Sequence, residues 1–391
     1  MGGSLSIPTR SSEGFLVVQA SPPRFNIPTH LTSSKQVSPD SPRIPIVHNS
    51  KFSSFFIRVG PIRAGPDFES ITKSQTATGV WCEPKPELIT GQVKKWAEAA
   101  KVETIRVPGY WYNSPRVDIA AGTRAQPGEK VFYHFHAGAY IMSTAHPNGA
   151  STPVITELLD KTKSIDRLFS LEYRLSSSAP FPVANPFPAA LIDAVTGYNY
   201  LITELGFEPS DIIIVADSAG AHLALCLFRY LIETSVFSVP GAFIGLSPLC
   251  DLSSSHLAVH DSSLLFKTDL VGRLDQGLLA WAWESFAGPL HDDPNHGPTK
   301  NPYLSPASIS PDIEATISFE GFPETFLISG GAERVRDVVR TLKERMARDL
   351  GEDKVTAYEA PDGIHDFLVF TWHEPERTEV LGLLSSWVDR K

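Results

Sequence analysis

The sequence predicts an α/β fold with a mostly parallel central sheet flanked by helices. Three observations point to it. Short apolar runs recur from about residue 100 onward, separated by longer segments of helical period. Several runs are apolar on both faces, as strands buried between two helical layers must be. The composition, 42 % apolar and 20 % charged over 391 residues, is that of a globular chain.

Taken in order, residues 1–45 hold seven prolines, nine serines and two acidic residues. Such a segment cannot bury enough apolar surface to offset chain entropy, so residues 1–50 are expected to form a flexible tail. Gly2-Gly3-Ser4-Leu5-Ser6 fits the short myristoylation pattern, although a plain flexible terminus is the favoured reading. A transit peptide is an alternative that the sparse arginines disfavour. Phe15–Val18 is too short for a signal-peptide core, and no stretch reaches the roughly 18 apolar residues of a membrane span. A cytoplasmic chain without stable membrane insertion is therefore expected. Residues 51–391 form the expected folded domain. Its strand candidates are Thr104–Val107, Val131–Phe135, Leu168–Leu171, Ile212–Val215, Ala242–Leu246, Thr325–Ile328 and Val355–Tyr358. Between them, 332–350 carries Val335, Val338, Val339, Leu342, Met346 and Leu350 at steps of three and four, one apolar helical stripe. Alternation of this kind implies crossover units, and ligands of such sheets sit at the carboxyl ends of the strands.

Several functions are excluded at this stage. A net charge of −10 without a clustered basic face argues against nucleic acid. Three cysteines, Cys82, Cys226 and Cys250, make no disulfide framework and no metal spacing, and suit a reducing compartment. No cofactor is implied, and the oligomeric state is not legible.

The most informative segment is Asp211-Ile212-Ile213-Ile214-Val215-Ala216-Asp217-Ser218-Ala219-Gly220-Ala221. An apolar strand runs into a serine ringed by small residues, and a helical segment follows. That is the layout of a nucleophile elbow, where a tight turn lifts the hydroxyl above the sheet. The plain alternative is a serine helix cap. The four β-formers and the packed small residues favour the nucleophile. Upstream, Val131–Phe135 runs into His136-Ala137-Gly138-Ala139-Tyr140, whose small residues let backbone N–H groups approach a developing oxyanion. His134 and His136 share a strand face, but no third metal ligand is placed, so no metal is expected; His136 more simply orients the loop.

A serine nucleophile needs a base, and the base needs an orienting acid. His365 lies in the turn after the strand at 355–358 and is the best-placed base. His222 sits too near Ser218 on the outgoing helix, and His291 and His296 lie in a polar loop. For the acid, Glu333 follows the strand at 325–328; Asp337 and Asp251 are weaker candidates. The order Ser218, Glu333, His365 is that of one hydrolase fold and differs from the trypsin-like and subtilisin-like orders.

With these residues in place, the chain from about 105 to 391 resembles the α/β-hydrolases of the hormone-sensitive-lipase type, the group with a His-Gly-Gly-Gly oxyanion loop. His136-Ala137-Gly138-Ala139 is similar to that loop, with alanine for its first and third glycines. Asp217-Ser218-Ala219-Gly220 resembles the nucleophile box, with Ala216 for its first glycine. Ser170–Leu175, Phe187–Ala190 with Asp193-Ala194, Ser247–Leu252 and Asn301–Pro306 resemble further family boxes. The resemblance implies an α/β-hydrolase fold with a helical cap drawn from the segments near 51–103 and 255–320. It implies Ser218, Glu333 and His365 as a triad, and Gly138, Ala139 and Ala219 as oxyanion donors. The implied activity is hydrolysis of a small-molecule ester of short-to-medium acyl length. Acyl transfer in natural-product tailoring, amide hydrolysis and non-catalytic small-molecule reception on the same fold are the alternatives. Trp281, Trp283 and Phe286 are candidates for an apolar substrate pocket or for the core of the cap.

Overall fold

The computed structural model describes residues 77–265, 269 and 271–391. The expected tail at 1–50, the Gly2 pattern and residues 51–76 lie outside them. Eight strands form one sheet: β1 Thr78–Cys82, β2 Val107–Asn113, β3 Lys130–Phe135, β4 Ile165–Leu171, β5 Ile212–Asp217, β6 Ala242–Leu246, β7 Glu324–Gly330 and β8 Val355–Ala360. Their order across the sheet is β1-β2-β4-β3-β5-β6-β7-β8. From β4 through β3 to β8 every pairing is parallel; β2 runs antiparallel to both of its neighbours. The mostly parallel sheet expected from the sequence is the one observed.

Along the central strands, alternate side chains enter opposite apolar layers, as the two-residue period of a strand demands. Tyr133, Phe135, Ile212, Ile214 and Ala216 face one layer. Phe132, Ile213, Val215, Ile244 and Phe326 face the other. The second layer is closed by Ile155, Leu158 and Leu159 of helix α1 (Thr152–Lys161), with Val380, Leu381 and Leu384 of helix α2 (Glu376–Val388). Full burial of each such side chain contributes about 1.5–3 kcal/mol.

Two strands depart from the sequence expectation. The Thr104–Val107 run enters the ladder only at Val107, and the strand proper is Val107–Asn113. Pro108 and Gly109 read as breakers, yet both lie in the strand. Gly109 is needed because a Cβ there would stand 2.3 Å from the Phe169 ring. Thr78–Cys82 falls within the segment assigned to the cap, and it forms the sheet edge instead, paired residue by residue with β2. It is short and half-buried, so it carries no clear apolar alternation.

The chain reverses its direction of travel across the sheet at β3, because β4 and β5 lie on its two sides. A crevice opens at such a switch point, outside the carboxyl ends of the strands. The loops after β3 and β5 meet there.

Candidate active site

Ser218 follows β5 and caps the helix Ala219–Thr234 with φ 52° and ψ −116°. A non-glycine residue in that region costs roughly 1–3 kcal/mol. Surrounding hydrogen bonds hold it: its N–H donates to the Leu246 carbonyl at 2.8 Å, and its own carbonyl accepts from His222 N–H and Leu249 N–H at 3.2 Å each. The glycine two residues on is forced by contact, since a Cβ on Gly220 would lie 2.1 Å from the Phe135 carbonyl oxygen. Ala216, the departure from the glycine-bounded box, is an ordinary ladder residue between Phe135 and Gly245.

The structure brings Ser218, His365 and Glu333 together in one line. Ser218 Oγ lies 2.9 Å from His365 Nε2, and His365 Nδ1 lies 3.1 Å from Glu333 Oε2. The other Glu333 oxygen accepts the Gly330 N–H at 3.0 Å. All three side chains are buried, Ser218 at 4 % exposure. Burial pushes the Glu333 carboxyl up, against the opposing hydrogen bond and charge of His365. For His365, burial alone would lower the imidazole; the charges of Asp366, Glu333 and Asp269 outweigh it and push it up to about 10.

The loop after β3 takes three successive positive φ values: Gly138 119°, Ala139 52° and Tyr140 63°. Its carbonyls are tied down. The His136 carbonyl accepts from Tyr173 Oη–H at 2.7 Å, Gly138 from the N–H groups of Ile141 and Met142, and Tyr140 from Ser176 N–H. Among the described residues, the N–H groups of Gly138 and Ala139 have no acceptor. Ala219 N–H opens the helix after Ser218, where first-turn donors lack intrahelical partners. His136 stacks on Tyr173 at 4.2 Å, and its Nδ1 lies 2.6 Å from the Ala137 carbonyl. Burial lowers its imidazole to about 4, so it is neutral.

The weaker candidates lie elsewhere. Asp251 pairs with His256 Nδ1 at 3.0 Å, and Asp337 accepts the Ser263 N–H at 2.7 Å. His222 bonds Tyr140 Oη at 2.7 Å and faces the Leu304 carbonyl. His134 bonds Ser170 Oγ at 2.7 Å, and no metal-holding group of His, Cys, Asp or Glu occurs among the described residues. Phe286 stacks on Tyr140 at 3.7 Å, Trp283 is buried, and Trp281 Nε1–H donates to the Ala179 carbonyl. Two carboxylates went unread in the sequence. Asp269 accepts His365 N–H at 3.1 Å and Arg334 N–H at 2.7 Å, bridging the loops that carry the base and the acid. Asp366 touches the base itself. Neither stands in a recognisable motif, so only the folded loops expose them.

Comparison with known proteins bears on the family and the fold. The pattern of the alpha/beta hydrolase fold family matches residues 132–369. An acetyl-hydrolase of Streptomyces hygroscopicus is 27 % identical over 253 residues, 64 % of this chain and 71 % of that protein. The esterase LipU of Mycobacterium tuberculosis is 31 % identical over 150 residues, 38 % of this chain; the match spans only 43 % of that protein. Among solved structures, an esterase from the bacterial hormone-sensitive lipase family superposes with a TM-score of 0.56 at 19 % identity, covering 90 % of this chain and 93 % of that one. The esterase LipW from Mycobacterium marinum gives 0.56 at 17 % identity, covering 80 % and 81 %. With the family pattern spanning more than half of its length and the eight-stranded sheet in place, this chain belongs to the α/β-hydrolase fold family.

Proposed function

We propose that the chain is a serine carboxylester hydrolase of the hormone-sensitive-lipase type, acting on short-to-medium acyl esters. The observation that carries this reading is the continuous hydrogen-bonded line from Ser218 Oγ through His365 to Glu333. In this scheme His365 Nε2 takes the Ser218 proton as Oγ attacks the ester carbonyl. Glu333, ionised, holds the Nδ1 proton and stabilises the imidazolium. The N–H groups of Gly138, Ala139 and Ala219 receive the negative charge that develops on the carbonyl oxygen, and His136 steadies the loop that carries two of them. The imidazolium then gives its Nε2 proton to the departing alkoxide. Water, activated by the same nitrogen, releases the acid and restores Ser218. The name of the Streptomyces relative, an acetyl-hydrolase, supports a short acyl group.

A series of 4-nitrophenyl esters of increasing acyl length, run on wild type and Ser218→Ala, tests the reading. The expected result is turnover greatest for acetate and butyrate, and lost in Ser218→Ala. Turnover retained by that variant would remove Ser218 from the mechanism.

A further inference from the structure

Beside the triad sits a carboxylate that the proposed reaction does not use. Asp366 follows His365 in the turn after β8, with φ 51°, and its N–H donates to Ser247 Oγ at 3.1 Å. Its Oδ2 lies 3.4 Å from His365 Nε2, the atom assigned to take the Ser218 proton. Its Oδ1 is buried and has no hydrogen-bond partner among the described residues. The side chain borders a small space shared with Asp217, Ser247 and Ile328. A second carboxylate therefore meets the imidazole on the nitrogen opposite to the one that Glu333 holds.

Resting on the esterase reading, we propose that Asp366 and His365 share one proton at Nε2, so that Asp366 sets the pH at which Ser218 becomes a nucleophile. Two microstates satisfy this sharing. With the proton on Nε2, the imidazolium faces an ionised Asp366 at 3.4 Å and donates to Ser218 Oγ at 2.9 Å. With the proton on Asp366, the ring is neutral and Nε2 accepts from Ser218 Oγ–H. In the first, the Nε2 lone pair is engaged and cannot receive the Ser218 proton, and the charge of Asp366 favours that state. The base becomes available when the proton leaves Nε2, and no other atom is gained or lost in that step.

The surroundings favour sharing over two separate charges. Acidic groups face the pair from three elements: Asp217 at the end of β5, Glu333 in the loop after β7, and Asp269 on the His365 N–H. Asp217 is partly occupied, accepting Ser151 Oγ–H at 2.5 Å with His134 Nε2 at 3.6 Å. The nearby cation, Arg334, spends its guanidinium on the Leu264 carbonyl and also feels Asp269. Like charges crowded in a buried site cannot all ionise against a neutral ring. Burial pushes the Asp366 carboxyl well up, His365 opposes this, and the neighbouring carboxylates add to it.

The test compares wild type with Asp366→Asn and Asp366→Gly; both residues tolerate a positive φ. The first keeps the shape and removes the charge. The second also removes the amide that asparagine would offer to Nε2. kcat/KM for 4-nitrophenyl butyrate is measured from roughly pH 5 to pH 10, and the His365 imidazole is titrated by NMR with 13C-labelled histidine. In both variants the midpoint of the rising limb and the imidazole titration should fall by about one to two pH units. Activity below the wild-type midpoint should rise at least about tenfold. A merely structural role would lower the plateau and leave the midpoint in place. If neither variant moves the imidazole titration, the proposal is overturned. Should wild type prove inactive toward every ester, the esterase reading fails, and the NMR titration still decides the proton sharing.

Discussion

The loop after β3, proposed to hold the oxyanion, offers the most demanding test of how backbone geometry sets activity. Gly138 holds φ 119°, and a Cβ there would stand 2.1 Å from the Met142 carbonyl oxygen and 2.9 Å from Ser143 Cβ. Gly138→Ala must therefore displace the loop by about 1 Å, and a misplacement of that order near the chemistry costs roughly a hundredfold. Loss of one oxyanion donor alone costs about 10²–10³ in kcat, or roughly 2.7–4 kcal/mol. The expected outcome is a fall in kcat of that size with KM little changed. The complementary variant works in the other direction. Ala139 sits at φ 52°, where an alanine methyl costs about 1–2 kcal/mol and glycine almost none. Ala139→Gly keeps its N–H, so it should retain kcat within about threefold and raise the melting temperature. Steady-state hydrolysis of 4-nitrophenyl butyrate with thermal melts of each variant measures both effects. A folded Gly138→Ala with wild-type kcat would show that the displaced N–H groups do not serve the oxyanion.

Three further outcomes follow from buried groups. Glu333→Gln places an amide N–H opposite His365 Nδ1, favours the wrong tautomer, and should lower kcat about 10³–10⁴-fold, with KM as the control. Glu172 is pushed up to about 7 by burial, against hydrogen bonds from Thr144 Oγ1–H and Ala145 N–H. Its raised value means that the native state holds the proton more tightly than the unfolded chain, so its stabilising contribution is present at low pH and is lost as pH rises through about 7. Glu172→Gln keeps an oxygen for both donors and should gain up to about 3 kcal/mol on wild type between acid and mildly alkaline pH, read by urea unfolding at several pH values. Asp193 is fully buried and accepts Arg174 Nη2–H at 2.7 Å and Arg174 N–H at 2.8 Å; Asp193→Asn leaves that guanidinium poorly compensated and should cost about 3–5 kcal/mol in the same assay.

The sequence was most legible where burial and chemistry agreed. Ile212–Val215 is apolar on both faces and emerged as the core of β5, and the Val335–Leu350 stripe forms the helix Arg336–Leu350. Pro108 and Gly109 hid the true extent of β2, because breakers are tolerated where the partner strand needs close approach. Thr78–Cys82 was hidden by its edge position, which removes the two-sided apolar signature. At the site, Ser218, Glu333 and His365 stood out because each lies in the loop that follows a strand, in the order nucleophile, acid, base. Asp366 and Asp269 did not, since their meaning depends on a positive φ and on a long-range hydrogen bond to His365, neither of which is written in local composition.

If Ser218 attacks the ester carbonyl, an acyl-enzyme must form on it. Mass spectrometry of enzyme quenched in acid during turnover of 4-nitrophenyl butyrate, followed by peptide mapping, detects that species. The predicted result is a butyryl group on the peptide containing Ser218, present in wild type and absent in Ser218→Ala. Turnover with no acyl adduct, or with the adduct on another residue, would show that Ser218 is not the nucleophile.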